Sequence, residues 1–195
     1  TLYWTINFPG FVVDIDYNNE YIYASNISWH INVINRLNNT LVQTVSLALA
    51  NRVLSINNLI YVTNSAWVAV MAWETVDHII SLPQNPLDMI YSQGKIYVAT
   101  STHLYVIDVA SEIIESTFSL GSTPYNLELY RDKIFIASSL FSGLEIFDIQ
   151  TNSLSTAIMG PVSAYFVWFK DDTFYTFDND AWIISAFNFY NNTLL

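Results

Sequence analysis

Apolar residues recur along the chain in short runs separated by Asn, Asp, Gly and Ser, a pattern typical of β-strands joined by turns. One run occurs five times with little change, and the central aromatic residues of successive copies are 38, 36, 38 and 40 positions apart. A period of this length indicates a β-propeller or a solenoid. The five copies are Tyr21-Ile22-Tyr23-Ala24-Ser25, Leu59-Ile60-Tyr61-Val62-Thr63-Asn64, Lys95-Ile96-Tyr97-Val98-Ala99-Thr100, Lys133-Ile134-Phe135-Ile136-Ala137-Ser138 and Thr173-Phe174-Tyr175-Thr176-Phe177.

Each repeat is predicted to contain four strands, with the recurring run as the second. In the first repeat the others are 11–17, 31–35 and 41–47. The next three repeats keep this order with small changes in length. The fifth repeat has three predicted strands, at 163–169, 173–177 and 183–188, and no fourth.

Residues 2–8 precede the first repeat and have the pattern of an isolated fourth strand. If they pair with the third strand of the last repeat, every repeat has four strands and no sheet edge is left open. We therefore predict an all-β fold in which residues 1–195 form one domain, a β-propeller of five four-stranded blades closed by the N-terminal strand. A segment of a larger propeller and another all-β arrangement are the alternatives.

Residues 61–64 spell Tyr-Val-Thr-Asn, and the surrounding pattern resembles the YVTN family of β-propeller repeats. The resemblance extends to the Asp that ends the third strand, at Asp108 and Asp148, and is strongest over 52–159. At the equivalent positions the chain has Asn35, Ala72 and Asn188 instead. The resemblance implies a propeller of the kind common on cell surfaces, many of which have no known catalytic activity.

Only 12% of the residues are charged, and the net charge of −11 would repel a nucleic-acid backbone. A polar surface built from Asn, Ser and Thr suits an acidic exterior, such as that of an acid-loving archaeon, although a merely acidic mesophilic protein is the alternative. The absence of cysteine excludes disulfides and thiolate metal sites. No apolar run reaches the length of about 18 residues that a membrane span requires. Because the chain starts at Thr1, it is expected to be a processed product or a piece of a longer protein.

Trp29 and Trp182 occupy the same position of the repeat, in loops predicted to lie on one face of the propeller. Beside Asp178, Asn179 and Asp180 they could stack on a sugar while the polar groups bind its hydroxyls. The alternative is that both tryptophans pack between blades. The two aspartates could also hold Ca²⁺, although a locally hydrogen-bonded turn would explain them equally well.

No catalytic residue, metal site or cofactor is predicted. His30, His78 and His103 are scattered over three repeats without metal-ligand spacing, and no phosphate loop or nucleophile elbow is present. Three acids, Asp14, Asp88 and Glu128, fall at similar positions on first strands. They could form a ring facing the central channel or simply be solvated at strand ends.

Three sequons begin at Asn26, Asn38 and Asn191, the last two in equivalent turns. We therefore expect a non-enzymatic, glycosylated protein of the extracellular space or cell surface, acting as a structural or adhesive module. Its partners would be other surface or filament proteins or copies of itself, and glycans as a further class. The alternative is a glycan-binding or glycan-cleaving propeller that uses Trp29, Trp182, Asp178 and Asp180.

Overall fold

Nineteen β-strands make up the regular structure, and no helix occurs among the residues described. The structure is a computed structural model that describes residues 5–6, 10–72, 75–138, 143–158, 164–178 and 181–190. The strands form five antiparallel sheets, numbered 1 to 5 along the chain. The chain divides into two compact units, Thr1–Tyr91 and Ser92–Leu195, and the boundary falls in the first strand of sheet 3.

The first unit contains sheets 1 and 2, each with four strands in chain order. Asn, Asp and Ser in the short connections provide the turns between the strands. Sheet 1 consists of β1 (Val12–Tyr17), β2 (Tyr21–Asn26), β3 (His30–Asn35) and β4 (Thr40–Ser46), and sheet 2 of β5 (Val53–Ile56), β6 (Leu59–Thr63), β7 (Trp67–Ala72) and β8 (Thr75–Ser81).

Sheet 3 consists of β9 (Pro86–Ser92), β10 (Lys95–Thr100), β11 (His103–Asp108) and β12 (Ile114–Ser119). Sheet 4 consists of β13 (Pro124–Tyr130), β14 (Lys133–Ser138), β15 (Gly143–Asp148) and β16 (Ser153–Ile158), and sheet 5 of β17 (Phe166–Lys170), β18 (Thr173–Asp178) and β19 (Ile183–Asn188). Pro86 and Pro124 are the first residues of their strands, a position where the missing N–H costs no ladder hydrogen bond.

The repeat predicted from the sequence is confirmed as sheet structure. Each of the first four repeats forms one antiparallel sheet of four strands, and the fifth forms a sheet of three. Residues 2–8, which were predicted to supply a fourth strand to sheet 5, lie outside the described residues except for Thr5 and Ile6, which are not in a strand.

In the first unit the sheets are held together by apolar side chains that pack face to face. One buried cluster joins Tyr23, Ile31 and Val33 of sheet 1 to Ile60 and Met71 of sheet 2. In each strand the alternating residues point to opposite faces, so each of these two sheets turns one set of side chains toward the other.

The second unit has an equivalent cluster that is richer in aromatic residues. Phe135 and Leu144 of sheet 4 pack against Val167, Phe174 and Phe187 of sheet 5. The rings of Phe174 and Phe187 stack with centroids 5.0 Å apart. Such aromatic pairs add about 0.5–1.5 kcal/mol to the free energy gained by burial alone.

Polar side chains on first strands also bind the neighbouring sheet. The Asp14 and Asp16 carboxylates of β1 accept hydrogen bonds from the backbone N–H groups of Val53 (2.9 Å) and Ser55 (2.6 Å) on β5. In the second unit the Asn126 side-chain oxygen accepts a hydrogen bond from Val167 N–H at 3.0 Å. These side chains accept hydrogen bonds from backbone N–H groups of first strands, and those N–H groups have no partner in their own sheet.

Two carboxyl groups have pKa values shifted in opposite directions. Burial raises the pKa of Asp14 above its usual 3.8, although hydrogen bonding to Val53 and the charge of Arg52 oppose the shift. The hydrogen bond from Lys133 to Asp148 is the main reason that the pKa of Asp148 falls to about 2. The two groups should therefore change the stability in opposite senses as the pH varies.

We predict that Asp14→Asn and Asp148→Asn have opposite pH dependences. A raised folded pKa means that wild type loses stability relative to Asp14→Asn as the pH rises above 3.8. A lowered folded pKa means that wild type gains stability relative to Asp148→Asn as the pH rises from about 2 to 3.8, and keeps that gain above it. Urea unfolding of wild type and both variants between about pH 2 and pH 7 tests both expectations. If the stability differences of the two variants change with pH in the same direction, the assigned pKa shifts are contradicted.

Candidate functional site

The turn between β2 and β3 is fixed by its own hydrogen bonds. The side-chain oxygen of Asn26 accepts hydrogen bonds from the backbone N–H groups of Ser28 (2.9 Å) and His30 (3.3 Å). Trp29 N–H donates to the Asn26 carbonyl at 3.2 Å, and Leu47 N–H donates to the Trp29 carbonyl at 2.8 Å. Both the N–H and the carbonyl of Trp29 are therefore fixed by backbone hydrogen bonds.

Trp29 has a backbone conformation that bulky residues rarely adopt, with φ of 68°. Its side chain is 55% exposed. In the two following repeats the equivalent residues are Ala66 and Thr102, and neither has a positive φ. Local strain at an exposed aromatic residue is a feature typical of functional sites.

The Trp29 side chain lines an open cavity of about 490 Å³ in the first unit, here called the Trp29 cavity. Its wall is largely apolar, its polar groups are neutral, and the lining contains no ionisable side chain. A cavity with this lining can bind an uncharged ligand or a partner segment. The lining residues are Val13, Ile27, Trp29, Leu49, Ala50, Asn51, Asn64, Ser65, Asn85, Pro86 and Leu87.

The asparagines of the Trp29 cavity fall into two groups. Asn64 is a framework residue, since its amide donates to the Ala48 carbonyl and its oxygen accepts a hydrogen bond from the Ser65 hydroxyl at 2.9 Å. The side chains of Asn51 and Asn85 form no hydrogen bond within the described residues. Two amides are thus available to a ligand beside the indole ring.

Sequence reasoning identified Trp29 but not the rest of the Trp29 cavity. The missed members lie mainly at 49–51, in the link between β4 and β5, and at 85–87, where β9 begins.

The second predicted tryptophan, Trp182, belongs to the second unit. It precedes β19 with φ of 56°, is 80% exposed, and contacts Phe177 edge to face with ring centroids 6.3 Å apart. Neither Trp29 nor Trp182 is therefore buried between sheets within its own unit, which was the alternative expectation.

Asp178 does not have the exposed position that sugar or Ca²⁺ binding requires. It is only 7% exposed, and its Oδ1 accepts a hydrogen bond from Ala181 N–H at 3.0 Å. Its carboxylate stabilises the turn before β19, as the locally hydrogen-bonded alternative proposed. Asn179 and Asp180 lie outside the described residues. Among the residues described, no group of three or more His, Asp or Glu could share a metal ion.

The acids of the first strands act as partners of the protein itself. Arg52 lies between two of them, with its Nε 2.9 Å from Asp88 Oδ1 and its Nη1 3.9 Å from Asp14 Oδ1. Because a guanidinium group balances both carboxylates, these two acids are structural ion-pair partners in the first unit. Sequence reasoning missed Arg52, which follows directly after the irregular link at 48–51.

The three histidines lie in three different sheets. His78 Nδ1 lies 3.0 Å from an oxygen of the adjacent Asp77, and His103 Nδ1 lies 2.7 Å from the hydroxyl of Thr102. His30 begins β3 directly after Trp29.

The sequons differ in accessibility. The side chain of Asn26 is 0% exposed, so the folded protein has no room for a glycan on its amide nitrogen. Asn38 lies in an exposed turn, where its oxygen accepts a hydrogen bond from the Thr40 hydroxyl at 2.7 Å. Asn191 is outside the described residues. Among the described sequons, the geometry therefore favours Asn38 and not Asn26.

We predict that alanine substitutions at the two described sequons have different effects. Asn26→Ala should lower the free energy of unfolding by about 1–3 kcal/mol, because it leaves the partly buried backbone N–H groups of Ser28 and His30 without their acceptor. Asn38→Ala, the matched control at an exposed turn, should change it by no more than about 0.5 kcal/mol. Urea unfolding of both variants measures this, and equal effects would show that the Asn26 hydrogen bonds do not stabilise the turn.

Comparison with known proteins gives structural matches only. No protein-family model and no curated protein matches the chain. It is similar in structure to the computationally designed Ika8 protein, with a TM-score of 0.76 and 11% identity over 94% of this chain and 60% of that one. It is also similar to Hsv2 from Kluyveromyces lactis, with a TM-score of 0.69 and 12% identity over 94% of this chain and 62% of that one.

The fold is β-propeller-like. The chain spans about 60% of the length of these solved structures, and at such low identity the likeness concerns the fold alone. The described residues include no helix of the length and apolar character needed to cross a membrane.

Proposed function

We propose that the chain is a non-enzymatic interaction module of a cell surface, filament or extracellular particle, and that the Trp29 cavity holds an uncharged part of its partner. The observation that carries this proposal is the strained, exposed indole at the edge of an open cavity. A left-handed backbone at a non-glycine residue costs on the order of 1 kcal/mol or more. Nine other described non-glycine residues share a positive φ, so what favours binding at Trp29 is the combination of this conformation with a large exposed ring beside a cavity.

The lining of the Trp29 cavity favours binding over chemistry. It offers apolar surface and the free amides of Asn51 and Asn85, whereas its one hydroxyl, that of Ser65, donates to Asn64 and has no acid or base beside it in the lining. Large exposed aromatic residues are typical of surfaces that contact other proteins. A second copy of the chain is the partner that can be tested first.

An acidic extracellular setting, as in an acid-loving archaeon, is supported by several properties. The chain has few charges and no cysteine, and Asn38 is an accessible sequon. Burial also raises the pKa of Asp14 and of Glu145, so protonation of these carboxyl groups in acid favours the folded state. Kinship with the YVTN repeat family is part of the same proposal and rests on the sequence pattern.

We also propose that residues 2–8 pair with β19 and complete a ring of five four-stranded blades. The support is the strand count, because within the described part of the chain sheet 5 has three strands where every other sheet has four. In this proposal the fourth strand would accept and donate hydrogen bonds along the free edge of β19.

If the proposed strand is present, deleting residues 1–8 should expose the free edge of β19. Backbone amides of β19 that point away from β18 should then exchange hydrogen at least about tenfold faster than in the full chain, because hydrogen bonding limits exchange to opening events. The amides of β3, which is paired on both sides, are the internal control. Unchanged exchange in β19 would contradict ring closure by this segment.

The interaction proposal predicts that Trp29→Gly weakens self-association without lowering stability. Glycine removes the indole but accepts a positive φ without strain, so the free energy of unfolding should stay equal or rise. The dissociation constant for self-association, measured by analytical ultracentrifugation, should rise by about tenfold or more.

Trp182→Gly is the matched control, since it makes the same change at the equivalent turn of sheet 5. Equal effects of the two substitutions would remove the special role of the Trp29 cavity. Intact mass measurement of native material, before and after deglycosylation, supplies the second test. An unmodified protein that stays monomeric at high concentration would contradict the proposed surface assembly.

A further inference from the structure

A second cavity in the first unit lies beside the turns that join first to second strands. It has a volume of about 340 Å³, within the range of small-molecule sites. It differs from the Trp29 cavity in being lined mainly by polar side chains, and we call it the asparagine pocket. Its lining consists of Asn18, Asn19, Glu20, Tyr21, Tyr23, Asn57 and Asn58.

Asn18 builds one side of the asparagine pocket through hydrogen bonds at both its side-chain oxygen and its side-chain nitrogen. Its side-chain oxygen accepts hydrogen bonds from the N–H groups of Glu20 (2.9 Å) and Tyr21 (2.8 Å). Its amide nitrogen donates to the hydroxyl of Tyr23 at 3.1 Å. The turn and the tyrosine are therefore held in fixed positions before any ligand arrives.

Tyr23 brings an unused donor to the pocket. The residue is 5% exposed, and its hydroxyl accepts from Asn18, but the hydroxyl hydrogen has no acceptor within the described residues. Burial raises the pKa of this hydroxyl, so the hydrogen is retained at physiological pH. A nearly buried hydrogen-bond donor without an acceptor lowers stability unless a ligand or water accepts its hydrogen bond.

Four exposed polar side chains complete the lining of the asparagine pocket. Asn19, Glu20, Asn57 and Asn58 form no side-chain hydrogen bond within the described residues. Three of them are amides, each of which can donate and accept hydrogen bonds, and the fourth is a carboxylate that can only accept.

The charges around the pocket restrict the ligand class. No cationic side chain lines it, and Arg36 is occupied by the Asn18 carbonyl and by the Tyr17 ring, 4.6 Å from its guanidinium carbon. An anionic ligand would therefore meet the Glu20 carboxylate without compensation. A single carboxylate is also too little for a divalent cation, which prefers several oxygen ligands of higher charge.

We propose that the asparagine pocket binds a neutral saccharide, whose hydroxyls exchange hydrogen bonds with Asn19, Asn57 and Asn58 and accept the free hydrogen of Tyr23. Glu20 accepts a hydrogen bond from a sugar hydroxyl, and the partly buried Tyr21 ring offers apolar surface. This site is separate from Trp29, Trp182 and Asp178, and it does not depend on the interaction proposed for the Trp29 cavity.

The test is an NMR titration of ¹⁵N-labelled protein with the methyl glycosides of glucose, mannose and galactose. At least one glycoside should shift the side-chain amide signals of Asn19, Asn57 and Asn58. The shifts should give a millimolar dissociation constant that is well below about 50 mM. Tyr23→Phe removes the free donor and should raise that constant about tenfold. Tyr97→Phe, the same change at the equivalent position of sheet 3, is the matched control and should have no effect.

Two further titrations test the ligand class and the location of the site. Glucuronate should bind at least about tenfold more weakly than the best neutral glycoside, because of its charge beside Glu20. Trp29→Gly should leave the titration unchanged, which separates this site from the interaction proposal. Absence of amide shifts with all three glycosides at about 50 mM, equal effects of the two tyrosine variants, or tighter binding of methylammonium than of any glycoside would overturn the proposal.

Discussion

The structure depends on the packing of each sheet's apolar face against a neighbour. Strands of four to seven residues cannot form stable sheets alone, so sheet and core must form together. The aromatic residue in the middle of each second strand shows this dependence. Tyr61, Tyr97 and Phe135 are nearly inaccessible, whereas Tyr175 of the three-stranded sheet 5 is only partly buried. Turns take little part in this packing and are therefore free to carry unusual residues such as Trp29.

A second principle is that acids and amides on first strands connect successive sheets. Asp14 and Asp16 bind backbone N–H groups of β5, and Asn126 does the same for β17. A chain with 17 acidic residues thus uses some of them as structural acceptors. The sequence left open whether Asp14, Asp88 and Glu128 form a ring facing the channel or are solvated at strand ends, because an acid at a strand end gives no sign of the donors it will meet.

The strands were predictable because the period repeats five times and each error in one repeat is corrected by the others. The sites were less predictable, since they depend on burial at single positions. Asn26 and Asn38 are both sequons, yet one is enclosed by the turn it stabilises and the other is exposed. For Asp178 the sequence left both a ligand-binding and a locally hydrogen-bonded role open, and the structure shows the carboxylate buried in its own turn. The two cavities join residues about 40 positions apart, and only the fold shows which side chains meet.

Among the described residues no strand pairs with the outer edge of β19, and this has a consequence for assembly. A strand added there would form the same backbone hydrogen bonds whether it came from its own molecule or from a neighbouring one. Intramolecular addition is favoured by the high effective concentration of a tethered segment, and intermolecular addition by crowding on a surface. Under the proposed pairing of residues 2–8 with β19, one sequence can therefore exist as a closed monomer in dilute solution and as a strand-exchanged chain of subunits where molecules are densely packed.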